Sequence, residues 1–306
     1  MKKDLLKMDD LSKEEILDIL NLADQLKYEQ KHSIEHPLLK GKSLGMIFEK
    51  ASTRTRVSFE VGMYQLGGNA LFLSDKELQI GRGEPIEDTA RVLSRFIQGI
   101  MIRTFSQKEA ETLAKYSSIP IINGLTDDEH PCQVLADLMT IRENKNILEG
   151  LKVAFVGDGN NMANSLMIGC LKVGMNFSIA SPKIYSASEK YLSRAKEIAE
   201  TENVEFTITT SPIEAVKGAD VVITDVWTSM GHEEEAQERI KHFEGFQVNN
   251  ELLKNANDDV LVLHCLPCHR DEEITSEVLE AHAEEIFDES ENRLHAQKAV
   301  LVKLMK

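Results

Sequence analysis

Short apolar runs recur along this chain at 45–48, 70–73, 99–102, 120–123, 152–156, 176–180, 204–208, 221–224 and 260–263. Runs this short have the length of buried strands and fall short of a helix. Between most of them stand longer stretches whose apolar residues recur at helical spacing, as at 86–97, 107–116, 162–173 and 188–200. The opening helix carries its own start signal: Ser12 and Glu15 form a capping box, and Ile16, Ile19, Leu20 and Ala23 follow on one face. Another helical pattern begins at Pro131, and a last one covers about 292–305. Alternation of this kind predicts parallel sheets covered on both faces. The expected fold class is α/β: two doubly wound parallel-sheet domains joined by interdomain helices. The polar stretch Asn144 to Gly150 marks the break, which predicts one domain over 1–146 and another over 147–289.

Composition narrows the function classes. At 306 residues, 42% of them hydrophobic, the chain is long for one core and sufficient for two. A net charge of −16, from 35 basic and 51 acidic residues, argues against a nucleic-acid surface or an anionic membrane as partner. An anionic substrate would have to be captured by locally placed arginines. No stretch approaches the roughly 20 apolar residues that span a bilayer, so the cytoplasm is the expected location. Cys132, Cys170, Cys265 and Cys268 are too few for a disulfide scaffold. Cys265-Leu266-Pro267-Cys268-His269 matches the haem-attachment and redox-pair patterns literally, but covalent haem belongs to exported proteins and a redox pair should open a helix of a small domain. His264, Cys265, Cys268 and His269 also suggest zinc, yet a structural zinc site combines ligand pairs separated by a longer loop. We expect no metal and no cofactor.

The most informative segment is Ser52-Thr53-Arg54-Thr55-Arg56, set between the apolar run Leu44 to Phe48 and a helical pattern with Val57, Val61, Tyr64 and Leu66 on one side. A strand feeding a helix start leaves backbone N–H groups and the positive dipole end pointing outward, and hydroxyls and guanidinium add donors suited to phosphate. An N-cap would explain one hydroxyl; three hydroxyls interleaved with arginines ask for more. Other chemistry-bearing residues follow strands in the same way: Arg103 after 99–102, His130 after 120–123, Asn161 after 152–156, Asp225 after 221–224 and Cys265 after 260–263. Open α/β sheets bind ligands outside the carboxyl ends of their strands, which implies a ligand on each domain and a cleft between them. Gly157-Asp158-Gly159-Asn160-Asn161-Met162 invites a dinucleotide reading, and hence an NAD-dependent dehydrogenase. Met162 stands where the third glycine should be, and no acidic residue ends the following strand, so that alternative is remote.

Together with His130-Pro131-Cys132-Gln133, Asp225-Val226-Trp227-Thr228-Ser229-Met230-Gly231 and His264-Cys265-Leu266-Pro267, the cradle motif resembles the signature set of the aspartate/ornithine carbamoyltransferase family. The pair Ser229-Met230-Gly231 and Cys265 is similar to its ornithine-specific branch. The likeness runs in order from Phe48-Glu49-Lys50 to Glu291-Asn292-Arg293, nearly the whole chain. It implies a carbamoyl-phosphate domain followed by an ornithine domain, with the C-terminal segment 290–306 packing back on the first. It implies direct attack of the ornithine δ-amine on carbamoyl phosphate, giving citrulline and phosphate through a tetrahedral intermediate. Ser52, Thr53 and Arg54 would hold the phosphate, and Thr55, Arg103 and His130 the carbonyl oxygen. Gln133 would meet the carbamoyl amine, with Cys265, Leu266 and Arg293 as further contacts on that side. Asn161, Asp225, Ser229, Met230 and Cys265 would bind ornithine.

The residues themselves supply a carboxylate for an α-ammonium and donors for an α-carboxylate. They offer no arginine beside Cys265-Leu266 for the second carboxylate of aspartate. Putrescine or another amine remains the alternative acceptor. The resemblance also implies a homotrimer, in which Gln79 reaches a neighbour's phosphate site, and a lid formed by the loop around Glu233-Glu234-Glu235. Cys268 stands where alanine is common and Cys132 where threonine is common.

Overall fold

The computed structural model describes residues 3–228 and 236–306. They form two compact units, one of residues 1–139 with 291–306 and one of residues 140–290. In the first unit, β1 (Ser43–Phe48), β2 (Asn69–Ser74), β3 (Gly99–Arg103) and β4 (Ile121–Leu125) make a wholly parallel sheet in the order β2-β1-β3-β4. The helices between and beside them are α1 (Lys13–Lys31), α2 (Thr53–Gln65), α3 (Ile86–Leu93) and α4 (Gln107–Tyr116). Helix α5 (Pro131–Lys145) then leads into the second unit. There β5 (Lys152–Val156), β6 (Asn176–Ala180), β7 (Phe206–Thr209), β8 (Val221–Thr224) and β9 (Leu261–His264) are again all parallel, in the order β7-β6-β5-β8-β9. They alternate with α6 (Asn161–Lys172), α7 (Glu189–Glu202), α8 (Pro212–Val216), α9 (Ala236–His242), α10 (Asn250–Leu253) and α11 (Ser276–Ala281). The long α12 (Ala283–Met305) returns the chain to the first unit. This is the doubly wound α/β class expected from the alternation. No described helix is long and apolar enough to cross a membrane.

Each expected strand forms with ends moved by at most two residues; β3 and β8 are buried throughout and read as uninterrupted apolar runs, whereas the edge strands β2 and β7 hold no buried residue and show through their composition alone. Strand β3 is buried throughout, and with Ile47, Ala90, Ala110, Leu113 and Ile121 it builds one cluster of the first core. In the second unit Ala154, Val156, Val222 and Val262 pack with Trp227, Phe243 and Phe246.

Helix expectations needed three corrections. Helix α3 stops at Leu93 instead of 97, where Ser94 Oγ donates back to the Ala90 carbonyl at 2.6 Å and the next amides bond three residues back. Helix α12 begins at Ala283, not near 292, so Arg293 lies mid-helix; its first turns carry few apolar residues and hid the periodicity. The Val57, Val61 and Tyr64 stripe of α2 faces outward, with Tyr64 81% exposed, while Thr55, Phe59, Gly62 and Met63 form the buried side.

In the first sheet the strand order reverses between β1 and β3, and in the second between β5 and β8. At these switch points successive connections leave to opposite faces and open a crevice at the carboxyl ends of the strands. The Ser52–Arg56 segment and Arg103 follow β1 and close β3; Asn160, Asn161 and Asp225 follow β5 and β8.

The glycine motif after β5 serves packing within the chain. A Cβ on Gly159 would stand 2.0 Å from the Ala187 amide nitrogen, and the Gly159 N–H donates to the Tyr185 carbonyl at 2.8 Å. A dinucleotide fingerprint keeps its second glycine bare for a pyrophosphate; here the protein's own backbone fills that approach. Met162, 2% exposed, occupies the third position. Because backbone cannot swing aside as a side chain can, Gly159→Ala is expected to cost at least about 2 kcal/mol. Urea denaturation with an unchanged midpoint for this variant would contradict the packing argument.

Candidate active site

The first group of site residues is built around the start of α2. Ser52 is its N-cap: the Ser52 Oγ accepts the Thr55 N–H at 3.2 Å and donates to Thr55 Oγ1 at 3.1 Å. Capping accounts for Ser52 and for neither Thr53 nor Arg54, which stand exposed and half-buried in the same first turn. Buried Thr55 also accepts from Arg293 Nη2 at 3.1 Å. With both lone pairs of its hydroxyl engaged, the Thr55 proton is left to donate elsewhere. Arg293 Nη1 donates to Gln133 Oε1 at 2.6 Å, and Gln133 Nε2 donates to Asp137 Oδ1 at 2.7 Å. Asp137 thereby fixes the Gln133 amide with its oxygen toward Arg293.

His130, Gln133, Arg103 and Arg293 are all nearly fully buried. Burial holds the His130 imidazole well below its usual range, and the cations Arg293, Arg103 and Arg54 push it further in the same direction. The result is a neutral imidazole among guanidinium groups, a donor set suited to an anion and to a polarised carbonyl oxygen. The fold thus gathers Thr55, Arg54, Arg103, His130, Gln133 and Arg293 from three strand ends and from α12. Gln79 stands apart, exposed before a short turn after the edge strand β2.

The second group is built around Asp225, buried just beyond β8. Its Oδ2 accepts from Asn160 Nδ2 at 2.8 Å, and its Oδ1 accepts from the Cys265 thiol at 3.2 Å. Asn160 is also the N-cap of α6, accepting from the Met162 and Ala163 amides, so one side chain fixes both the helix start and the carboxylate. Half-buried Asn161 opens the same helix. Cys265 and Leu266 lie half-buried after β9. Leu266 has a left-handed backbone (φ 54°), held by its N–H donating to His264 Nδ1 at 2.9 Å. His264 Nε2 lies 3.0 Å from the buried Glu273 carboxylate. With both ring nitrogens committed, His264 organises the turn and is not placed to deprotonate Cys265. Ser229 and Met230, expected on the acceptor side, lie outside the described residues, as do Glu233, Glu234 and Glu235.

Asp137, Asn160 and the Asp158–Arg239 pair went unread in the sequence. Arg239 donates to Asp158 and to the Trp227 carbonyl at 2.6 Å, and its guanidinium stacks 4.2 Å over the Tyr185 ring. Burial pushes the Asp158 carboxyl up to about 7 against the pull of Arg239. These residues act on other side chains, a role with no local signature. Asn160 alone carried a signal, as an Asn opening a helix.

Asp225, His264 and Cys265 could each aim a ligand atom at one point, all within 4.8 Å of one another. A metal there would have to displace one of the two His264 ring bonds, that to Leu266 or that to Glu273. Cys132 is fully buried and its thiol is pushed up to about 12, which makes it inert; burial and Glu273 raise the Cys268 thiol as well.

This geometry agrees with what the chain is similar to. Residues 3–143 match the family model described as aspartate/ornithine carbamoyltransferase, carbamoyl-P binding domain, and residues 149–304 match its Asp/Orn binding domain. The chain is 56% identical over 303 residues to an ornithine carbamoyltransferase of Carboxydothermus hydrogenoformans, covering 99% of this chain and 97% of that protein. The solved ornithine carbamoyltransferase of Pyrococcus furiosus superimposes with a TM-score of 0.95 at 51% identity, over 99% of this chain and 97% of that one. An anabolic ornithine carbamoyltransferase of Campylobacter jejuni gives 0.94 at 44% identity, over 99% and 98%. The chain belongs to the aspartate/ornithine carbamoyltransferase family.

The depressed His130 has a readable consequence. Its folded value lies below that of the unfolded chain, so as pH falls through about 6.5 the unfolded state takes up the proton first. The stability involved is fully present above that pH and is lost below it. We expect the His130 ring resonances of ¹⁵N-histidine-labelled protein to stay those of a neutral imidazole at pH 6. Titration of His130 with a midpoint near the ordinary value would contradict the buried, cation-flanked site.

Proposed function

We propose that this protein transfers the carbamoyl group of carbamoyl phosphate to the δ-amine of L-ornithine, giving L-citrulline and phosphate. Family membership carries the reaction class, and the Asp225 cluster supports an amino-acid acceptor. In this reading the first-turn donors Ser52, Thr53 and Arg54 hold the phosphate. Arg103, neutral His130 and the free Thr55 proton stabilise charge as it grows on the carbonyl oxygen. The Gln133 oxygen, fixed by Asp137 and paired with Arg293, accepts from the carbamoyl amine; the family likeness assigns Cys265 and Leu266 to carbamoyl phosphate as well.

Asp225 pairs with the α-ammonium and Asn161 donates to the α-carboxylate; the family likeness assigns Ser229 and Met230 to ornithine as well. The neutral δ-amine attacks the carbamoyl carbon; a C–N bond forms, the C–O bond to phosphate breaks, and the departing phosphate takes the amine proton. No covalent enzyme intermediate is needed, and Cys265 orients the amine. Gln79, exposed on one chain, serves the phosphate site of a neighbouring subunit. Trimerisation also suits the outward Val57, Val61 and Tyr64 of α2 and the exposed Leu71 and Phe72 of the edge strand, apolar side chains of the kind that mark an interface.

The acceptor is tested by offering ornithine, putrescine and aspartate separately with carbamoyl phosphate. Putrescine would leave the groups around Asp225 unpaired, which should lower kcat/KM by a factor on the order of 10⁴. Equal turnover of putrescine would sink the ornithine assignment. A mass increase on the Cys265 peptide after mixing with carbamoyl phosphate alone would overturn direct attack. For assembly, Tyr64→Glu is expected to convert a sedimenting trimer into smaller species, and a monomeric wild type would refute the trimer.

A further inference from the structure

Helices α2 and α12 meet along a seam that is polar at both ends. At the site end, Arg293 reaches Thr55. One turn on, Gln297, with its amide oriented to satisfy both of its polar atoms, donates to Ser58 Oγ and accepts from Arg293 Nη2 at 3.2 Å. In the middle the helices approach so closely that a Cβ on Gly62 would stand 3.2 Å from Lys298 Cγ and 3.6 Å from Leu294 Cδ1. At the far end, Lys298 Nζ donates to Oε1 of Gln65, the last residue of α2, at 2.9 Å.

Lys298 is fully buried, and none of the family-derived roles uses it. Besides Gln65 its amine donates to Gln30 Oε1 of α1 at 2.9 Å and lies 3.3 Å from His36 Nε2. His36 Nδ1 faces the Ile34 carbonyl at 3.1 Å and the Glu29 carboxylate at 3.2 Å, so the ring proton belongs on Nδ1 and Nε2 is the acceptor. An ammonium has three N–H bonds and here it has three acceptors. Burial lowers its pKa to about 8, which leaves it mainly protonated at neutral pH. A cage of neutral acceptors around a buried cation is costly to build and contributes little net stability. What it supplies is geometry: three donors in fixed directions tie α12 at once to α1, to the segment after α1 and to the end of α2.

We infer that Lys298 is a positioning residue for the phosphate side of the site, its ammonium setting the register between the helix that begins with the cradle and the helix that carries Arg293. The inference rests on the proposed role of the Ser52–Thr55 segment in phosphate binding. Lys298 touches no substrate in this scheme. It fixes where Arg293 meets Thr55, and through Arg293 the placement of Gln133.

The test uses Lys298→Met in the full chain, which keeps the unbranched apolar stem and removes the terminal ammonium with its donors. Inorganic phosphate is titrated calorimetrically and KM is measured for each substrate. The variant is expected to fold, to bind phosphate and carbamoyl phosphate about tenfold more weakly, as displaced catalytic groups do, and to keep its ornithine KM. A folded variant with unchanged phosphate affinity overturns the inference, and so does an equal loss for both substrates, which marks general damage. Should Lys298→Met not fold, Gln65→Met and Gln65→Glu decide: the first removes the acceptor and should weaken phosphate selectively, while the second retains it and should not. Unaltered phosphate binding in both would refute the role. A wild type that binds phosphate but makes no citrulline would defeat the proposed function while leaving this comparison readable.

Discussion

The fork of Arg293 is the contact on which the cluster around Thr55, Gln133 and His130 depends. One guanidinium joins α12 to Gln133 of α5 and to Thr55 of α2, and so brings together three segments far apart in sequence. Its partners in these two bonds are neutral oxygens. Arg54 and Arg103 add to the charge of this guanidinium, and together they help keep His130 neutral. Positive charge gathered in a buried site favours the entry of an anion. A chain of net charge −16 can therefore present a locally cationic pocket, because burial and short distance outweigh charges spread over a screened surface.

The second unit solves a different problem with the same topology. Its switch-point residue is the carboxylate Asp225, aimed by an amide from the α6 cap and by a thiol from the β9 turn. Each of these is held in turn: Asn160 by helix amides, and the β9 turn by His264 and Glu273. A carboxylate so constrained is ready for a cation without rearranging, which is the advantage of preorganised charge over a flexible side chain in water. The cysteine and histidine residues whose spacing imitates haem or redox motifs are explained by this turn.

Polar side chains buried away from any substrate account for much of the remaining precision. Lys298 with its three acceptors and Arg239 between Asp158, Trp227 and Tyr185 each order backbone from within a core. Apolar packing tolerates small slips of one helix along another, because dispersion has no direction. Hydrogen bonds from a fixed donor tolerate far less. Helices placed this way keep their site residues in register.

By itself the sequence determined the elements and the chemistry they could carry. Central strands buried on both faces write themselves as apolar runs, and the edge strands β2 and β7 showed through their composition, so β1 to β9 were legible within two residues and the class followed from their alternation. The cradle and the strand-end residues were legible because helix starts and strand ends have local signals. Tertiary structure alone decided what depends on distant partners. It settled that Val57, Val61 and Tyr64 face outward, since periodicity names a face and not what covers it. It showed that α12 starts at Ala283, because a polar helix has no stripe to read. It assigned Asp137, Asn160, Arg239 and Lys298 their tasks, because a hydrogen bond between residues remote in sequence leaves no mark on either one alone.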